Sequence, residues 1–233
     1  MENHLQTRFG ASAGMADMLA VRHRVLRNTY WLLALSMIPT VLGAWLGVQF
    51  KFAFFSGSPM IGFMLFMAIA FGFIYAIEKT KDSALGVAVL LGFTFFMGLM
   101  LSRLIGNILG FSNGASLIMM AFGGTAAIFG TMATVATVSK RDFSGLGKWL
   151  FAGVLVILVA ALANIFFQLP ALQLVISVIA IAIFSAYILY DVQQVINGGE
   201  TNYITATLSI YLDVYNIFSN LLALLGIFGG ERD

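Results

Sequence analysis

Seven long apolar runs alternate with short polar breaks along the chain. The runs extend from Thr29 to Val48, Met60 to Ile77, Ser83 to Ile105, Ala115 to Val138, Leu146 to Phe167, Ala171 to Ile196 and Tyr203 to Phe228. The breaks between them carry turn formers and charges: KFAFFSGSP, EKTKD, GNILGFSNG, SKRDFSG, QLP and NGGETN. Crossing the hydrocarbon core of a bilayer takes about 20 apolar residues. Inside lipid every backbone polar group needs an internal partner, which a helix supplies along its own length. The pattern therefore predicts an all-α polytopic membrane protein with seven transmembrane helices.

The few polar positions inside the runs are patterned too. In the seventh run Thr205, Ser209, Asp213, Asn216 and Asn220 recur at spacings of 4, 4, 3 and 4, which places them on one helix face. A polar stripe through an apolar helix should face other helices, so the last helix is expected to be central. In the sixth run Asp191 shares a face with Tyr187 and Gln194, at i−4 and i+3. Gly198 and Gly199 suit the end of that helix, and Thr201 or Asn202 suits the N-cap of the next. Counted from this turn, Asp191 lies about six residues up and Asp213 about eleven, a difference of ~7 Å. Side chains lean toward their own helix N-terminus, which narrows the gap on an antiparallel pair. Intramembrane ionisable groups are costly and usually serve a cavity or a partner. Two carboxyls in contact at low dielectric share one proton. Protonated, such a pair bonds the helices together; deprotonated, it repels or attracts a cation. The competing reading is that each Asp bonds only its local backbone.

Composition sharpens the class. Hydrophobic residues make up 61% and charged residues 9%, with a mean hydropathy of +0.98. A soluble domain carries about 25% charged residues, so lipid is the expected solvent here. Residues 1–28 read as a polar cytosolic arm without a signal-peptide core, and residues 29–233 as the membrane domain. The arm is expected to be irregular up to Met15, with a surface helix from Ala16 to Asn28 holding Arg22, Arg24 and Arg27 at headgroup level.

The net charge of +2 does not signal nucleic acid, because the basic residues flank the apolar runs. With the N-terminus inside, Arg22, Arg24, Arg27, Lys79, Lys81, Lys140, Arg141 and Lys148 fall on the cytoplasmic side. Lys51, Arg103 and Arg232 fall outside. This imbalance sets the expected orientation, and Trp31, Tyr75, Trp149 and Tyr203 fall at the same inner level. The chain has no Cys, and His4 and His23 precede the first run, which removes disulfides, thiol chemistry and intramembrane His ligands. No resident cofactor is expected. Small residues of the fourth run (Ala121, Gly123, Gly124, Thr125, Ala126, Ala127 and Gly130) predict close helix packing there. Arg103 and Asn107 read as snorkelling residues or as the lining of an outer vestibule. Asn164 is expected to bond a neighbouring helix. Glu78, Lys79, Lys81, Asp82 and Glu200 are expected in solvated turns.

The stretches AYILYDVQQVI and LSIYLDVYNIFSNLLALLG, supported by AFGGTAAIFG and NIFFQLPAL, resemble the Bax inhibitor family of membrane proteins. GGETNYITATLSIY resembles its proteobacterial inner-membrane branch. The resemblance implies seven helices with the last surrounded by the other six, in the bacterial inner membrane. It also implies a pH-sensing pair, matched here by Asp191 and Asp213, over a calcium-leak pathway, with calcium as a transient ligand. A basic partner at the inner end of the second helix is implied as well; Lys79 and Lys81 are the candidates, with Arg103 as a further cation. Ser209, Asn216, Asn220, Gln194 and Tyr187 would line the pathway. The branch is associated with the membrane-bound protease FtsH, as substrate and modulator, with the N-terminal arm as the handle. An intramembrane aspartyl protease fits less well: Asp213 sits in LYLD rather than GxGD, and LPAL precedes both Asp. The chain is therefore expected not to be an enzyme.

Overall fold

The computed structural model describes residues 2–52 and 59–231. Most of the α1–α2 connection, 53–58, and Arg232 and Asp233 of the tail lie outside the described residues. The helices are α1 (Glu2–Gln49), α2 (Pro59–Thr80), α3 (Ala84–Leu109), α4 (Gly114–Val138), α5 (Gly147–Phe167), α6 (Pro170–Asn197) and α7 (Tyr203–Gly229). Among the described residues seven helices are long and apolar enough to cross a membrane, the first over Ala20–Gln49. Large apolar side chains such as Trp31, Leu42, Phe122, Val156 and Phe228 are exposed on the outer surface. Lipid is the solvent that suits such a surface. The arm is not a separate surface helix, because α1 continues through it without a break.

α7 packs against α1, α2, α3, α4 and α6, while α5 packs on α6 and the 3-10 turn Ser144–Leu146. The last helix is thus central, with α5 placed outside α6. Its tyrosines fasten it to its neighbours. The Tyr211 hydroxyl lies 2.9 Å from Thr40 Oγ1 and 3.4 Å from the Thr94 carbonyl. Tyr215 donates to the carbonyl of Met97. The main core gathers Ile77, Leu90, Phe93, Ile188, Val192 and Ile210 around these bonds. A second core, Ile108, Leu117, Ala121 and Leu222, fills the other half of the bundle.

Local chemistry sets the helix ends. Pro170 opens α6 in its first turn, where its missing N–H costs nothing. Gly198 ends α6 at φ 79°, a left-handed conformation natural to glycine. Asn202 caps α7 by accepting from the N–H groups of Ile204 and Thr205. Its amide also donates to the Lys81 carbonyl and to Asp82 Oδ1, tying the α2–α3 and α6–α7 turns together. Gln193 holds the α4–α5 connection to the same end, accepting from Phe143 N–H and donating to the Arg141 carbonyl. This basic end of the bundle also carries Lys79, Lys140 and Lys148. At the opposite end the Asn113 amide donates to the Gly229 carbonyl and accepts from Glu231 N–H, fastening the end of α7 to the α3–α4 turn.

The closest helix crossing is not where the small residues of the fourth run suggest. Gly123, Ala126, Ala127 and Gly130 are exposed, and only Ala121 and Thr125 of that set are buried. Instead α1 and α3 interlock. A Cβ on Gly43 would strike the Phe95 carbonyl, and one on Gly98 would strike the Thr40 carbonyl.

Candidate functional site

The site forms where the last turns of α6 meet the first half of α7. Asp213 is buried, with 4% of its surface exposed. Its Oδ2 has no hydrogen-bond partner. The Asp191 and Asp213 carboxyls lie within side-chain hydrogen-bonding reach of each other. Tyr187, one turn before Asp191, lies close enough to interact electrostatically with both. Its ring is stacked on Phe184 and meets Tyr190 edge-on. A buried carboxylate without a partner is expensive. A proton shared across the pair, or a cation, would satisfy Asp213 Oδ2.

A crevice of about 240 Å³ opens beside the pair at the basic end, lined by Asp191, Gln194, Glu200, Ser209 and Tyr190 among others. The stripe on α7 divides between two environments. Ser209 is exposed in the crevice wall, Asp213 is buried, and Thr205, Asn216 and Asn220 are half-buried. Asn216 and Asn220 donate to carbonyls of their own helix, Leu212 and Asn216, so neither amide N–H is committed to another helix. Gln194 accepts the backbone N–H groups of Gly199 and Glu200 on its carbonyl, which folds the turn over its side chain.

The cations considered from the sequence do not converge on the pair. Lys81 is bonded to Glu78, and that contact raises the Lys81 ammonium above the ordinary lysine range. Lys79 lies 5.6 Å from the ring centre of Tyr75. Arg103 is exposed, about 28 Å along α3 from its start at the basic end. Arg22, which the sequence placed at headgroup level and not near the pair, reaches the α6–α7 turn. Arg22 donates to the Ile196 carbonyl at 3.5 Å, and a Cβ on Gly198 would meet its guanidinium. A basic group at a helix C-terminus offsets the partial negative charge there. The sequence signal for it was only an Arg-rich segment ahead of the first span. Asn164 bonds Gln173 of α6 and the Leu169 N–H, as a polar residue between two helices should. No three His, Cys, Asp or Glu groups converge to hold a metal among the described residues.

Fold and site together define a multi-pass α-helical membrane protein with an acidic pair where its last two helices meet. The family model for the inhibitor of apoptosis-promoting Bax1 matches residues 22–230, and the chain belongs to this Bax inhibitor family. It is 39% identical over 204 residues to the Escherichia coli K12 protein named modulator of FtsH protease YccA, covering 88% of this chain and 90% of that one. An uncharacterised protein of Neisseria meningitidis serogroup A is 39% identical over 212 residues, covering 90% of this chain and 93% of its own length. An uncharacterised protein of Pseudomonas aeruginosa is 38% identical over 207 residues, covering 89% and 90%.

Proposed function

We propose that this chain is a multi-pass inner-membrane protein whose Asp191–Asp213 pair gates a pH-sensitive calcium leak. The N-terminus and the basic end face the cytoplasm in this reading, which the distribution of Lys and Arg supports. The observation that carries the reading is a buried carboxyl with an unpartnered oxygen, with a second carboxyl on the neighbouring helix within electrostatic reach. At low pH a shared proton joins α6 to α7. As pH rises the proton leaves, the two charges repel, and the site exchanges a proton for a cation. Calcium takes 6–8 oxygen ligands, so Ser209, Gln194, Asn216, Asn220 and water would complete a transient shell.

A second reading is favoured by the relative named modulator of FtsH protease. The chain would bind an FtsH-type protease through the N-terminal part of α1 and modulate it. The two roles are compatible and separable. Calcium flux is measured into liposomes holding the purified protein from pH 5 to 8, beside Asp213→Asn and Asp191→Asn. Flux should rise with pH through a midpoint that either substitution shifts or abolishes; flux equal to that of empty liposomes at every pH sinks the leak. Deleting residues 2–15 should leave flux intact while protease coupling fails. Coupling that survives the deletion removes the arm from the second reading.

A further inference from the structure

The α4–α5 connection carries chemistry that the acidic pair does not use. Its sequence, SKRDFSGLGKW over 139–149, holds three cations and one acid. The segment is pinned to α6 at two points one turn apart. Gln193 is buried; it accepts the Phe143 N–H and donates to the Arg141 carbonyl at 2.7 Å. Gly147 is seated so closely on Tyr190 that a Cβ there would strike the tyrosine hydroxyl. Within the segment Ser139 Oγ accepts the Arg141 N–H, and Asp142 Oδ1 accepts the Ser144 N–H and hydroxyl. The one acid is thus spent on its own turn. Lys140, Arg141 and Lys148 are exposed and enter no ion pair among the described residues. Three unpaired cations therefore stand on a backbone already held in place, which lowers the ordering cost of binding an anion.

We propose that this segment binds the headgroup phosphate of an anionic phospholipid in the leaflet at the basic end, through Lys140, Arg141 and Lys148. Arg141 offers the planar fork that pairs with a phosphate, and the two lysines add point charges. What flanks the cations favours a lipid over an acidic protein segment. Trp149, next to Lys148, is 78% exposed, and a tryptophan so placed suits the headgroup level of a bilayer. Val138 and Phe151, at the end of α4 and the start of α5, are exposed as well, so apolar surface for acyl chains adjoins the basic segment on both sides. α5 packs only on α6 and the 3-10 turn before it. A headgroup held by Lys140, Arg141 and Lys148 would add a tie between the end of α4 and the start of α5.

The test reads Trp149 fluorescence in the full chain carrying Trp31→Phe and Trp45→Phe, both at exposed positions. The protein is reconstituted in phosphatidylcholine vesicles with a minor fraction of phosphatidylglycerol. Bromine on the acyl chains of one lipid or the other quenches tryptophan, so the ratio of the two quenching values gives the lipid composition beside Trp149. Phosphatidylglycerol should be enriched there about threefold or more over random mixing. Lys140→Gln/Arg141→Gln/Lys148→Gln should return the ratio to random mixing. Gln193→Leu, which keeps all three charges and frees the loop, should lower it. Arg24→Gln/Arg27→Gln removes exposed charge ahead of the first span and should leave the ratio high. A random ratio in the parent protein overturns the site, as does an unchanged ratio in the triple substitution or in Gln193→Leu. An equal fall in Arg24→Gln/Arg27→Gln also overturns it, because the attraction is then diffuse. Inorganic phosphate, against chloride of matched ionic strength, and a polyglutamate peptide serve as competitors, and neither should displace the lipid. Displacement by phosphate would make this a site for a free anion, and displacement by the peptide a dock for an acidic protein segment; either result removes the lipid.

Discussion

Asp213 combines full burial with an unpartnered oxygen, a combination that folding alone would not favour. Leaving a buried polar group unsatisfied costs about 1–3 kcal/mol. Replacing it with an apolar residue of similar size recovers much of that. Asp213→Leu is therefore expected to raise thermal stability in detergent or nanodiscs while eliminating any pH response of the α6–α7 contact. Asp213→Asn should be close to wild type in stability and equally unresponsive. A melting temperature that falls in Asp213→Leu by the same amount at pH 5 and pH 8 would mean that the carboxyl makes a stabilising bond independent of the shared proton, and the site would lose its claim to be a pH switch. The position of Asp213 was legible from the 4, 4, 3, 4 spacing because helical periodicity fixes which residues share a face. What each polar group bonds to was not legible. Asn216 and Asn220 turn to their own helix, and Lys81 turns to Glu78. Spacing specifies direction along one helix and leaves the choice between local and distant partners to packing.

Helices pair here through close backbone approach, and the choice of partner is where sequence reasoning reached least far. In lipid the apolar outside and the apolar core select the same residues, so a small-residue run does not declare whether it faces protein or acyl chains. In α4 Gly123 and Gly130 have open space where a Cβ would be. In α1 and α3 Gly43 and Gly98 have none, although they stand in runs rich in larger residues. The helix ends were far more legible, since Gly198 and Asn202 carry their own local chemistry: a left-handed φ and a side-chain cap. The interlocked crossing makes a sharp prediction. Gly98→Val should force α1 from α3 and strain the nearby Thr40–Tyr211 bond, with a loss of about 2 kcal/mol or more. Gly130→Val, on an open face, should stay within ~0.5 kcal/mol of wild type. Thermal unfolding of the two variants in the same detergent checks the pair; equal losses would mean that the α1–α3 approach is not a tight contact.

For the whole molecule, the decisive geometric fact is that both ends of the bundle are fastened and that the acidic crevice opens at the basic end. Asn202 and Gln193 tie three connections together there, and Asn113 ties α7 to the α3–α4 turn at the other. The dry cluster of Ile108, Leu117, Ala121 and Leu222 lies on the side of Asp213 away from the crevice. For the proposed leak, the crevice beside Asp191 would give access toward Asp213 from the basic end, and the side of the membrane that this end faces sets the direction of access. Basic residues near short loops are retained in the cytoplasm, so the crevice should open there. The absence of Cys from the chain makes the test clean, because a single introduced thiol carries the whole signal. Thr201→Cys, exposed on the α6–α7 turn, should resist a membrane-impermeant maleimide in intact cells with permeabilised outer membranes. It should react in inverted inner-membrane vesicles. Ala115→Cys, exposed at the opposite end, should show the reverse. If Thr201→Cys reacts from outside, the crevice faces the periplasm. Cations would then be taken from there, and the N-terminal part of α1 would lie on the wrong side for a protease that acts from the cytoplasm. The labelling pattern thus fixes the direction of access to Asp213 and the accessibility of the arm in one experiment.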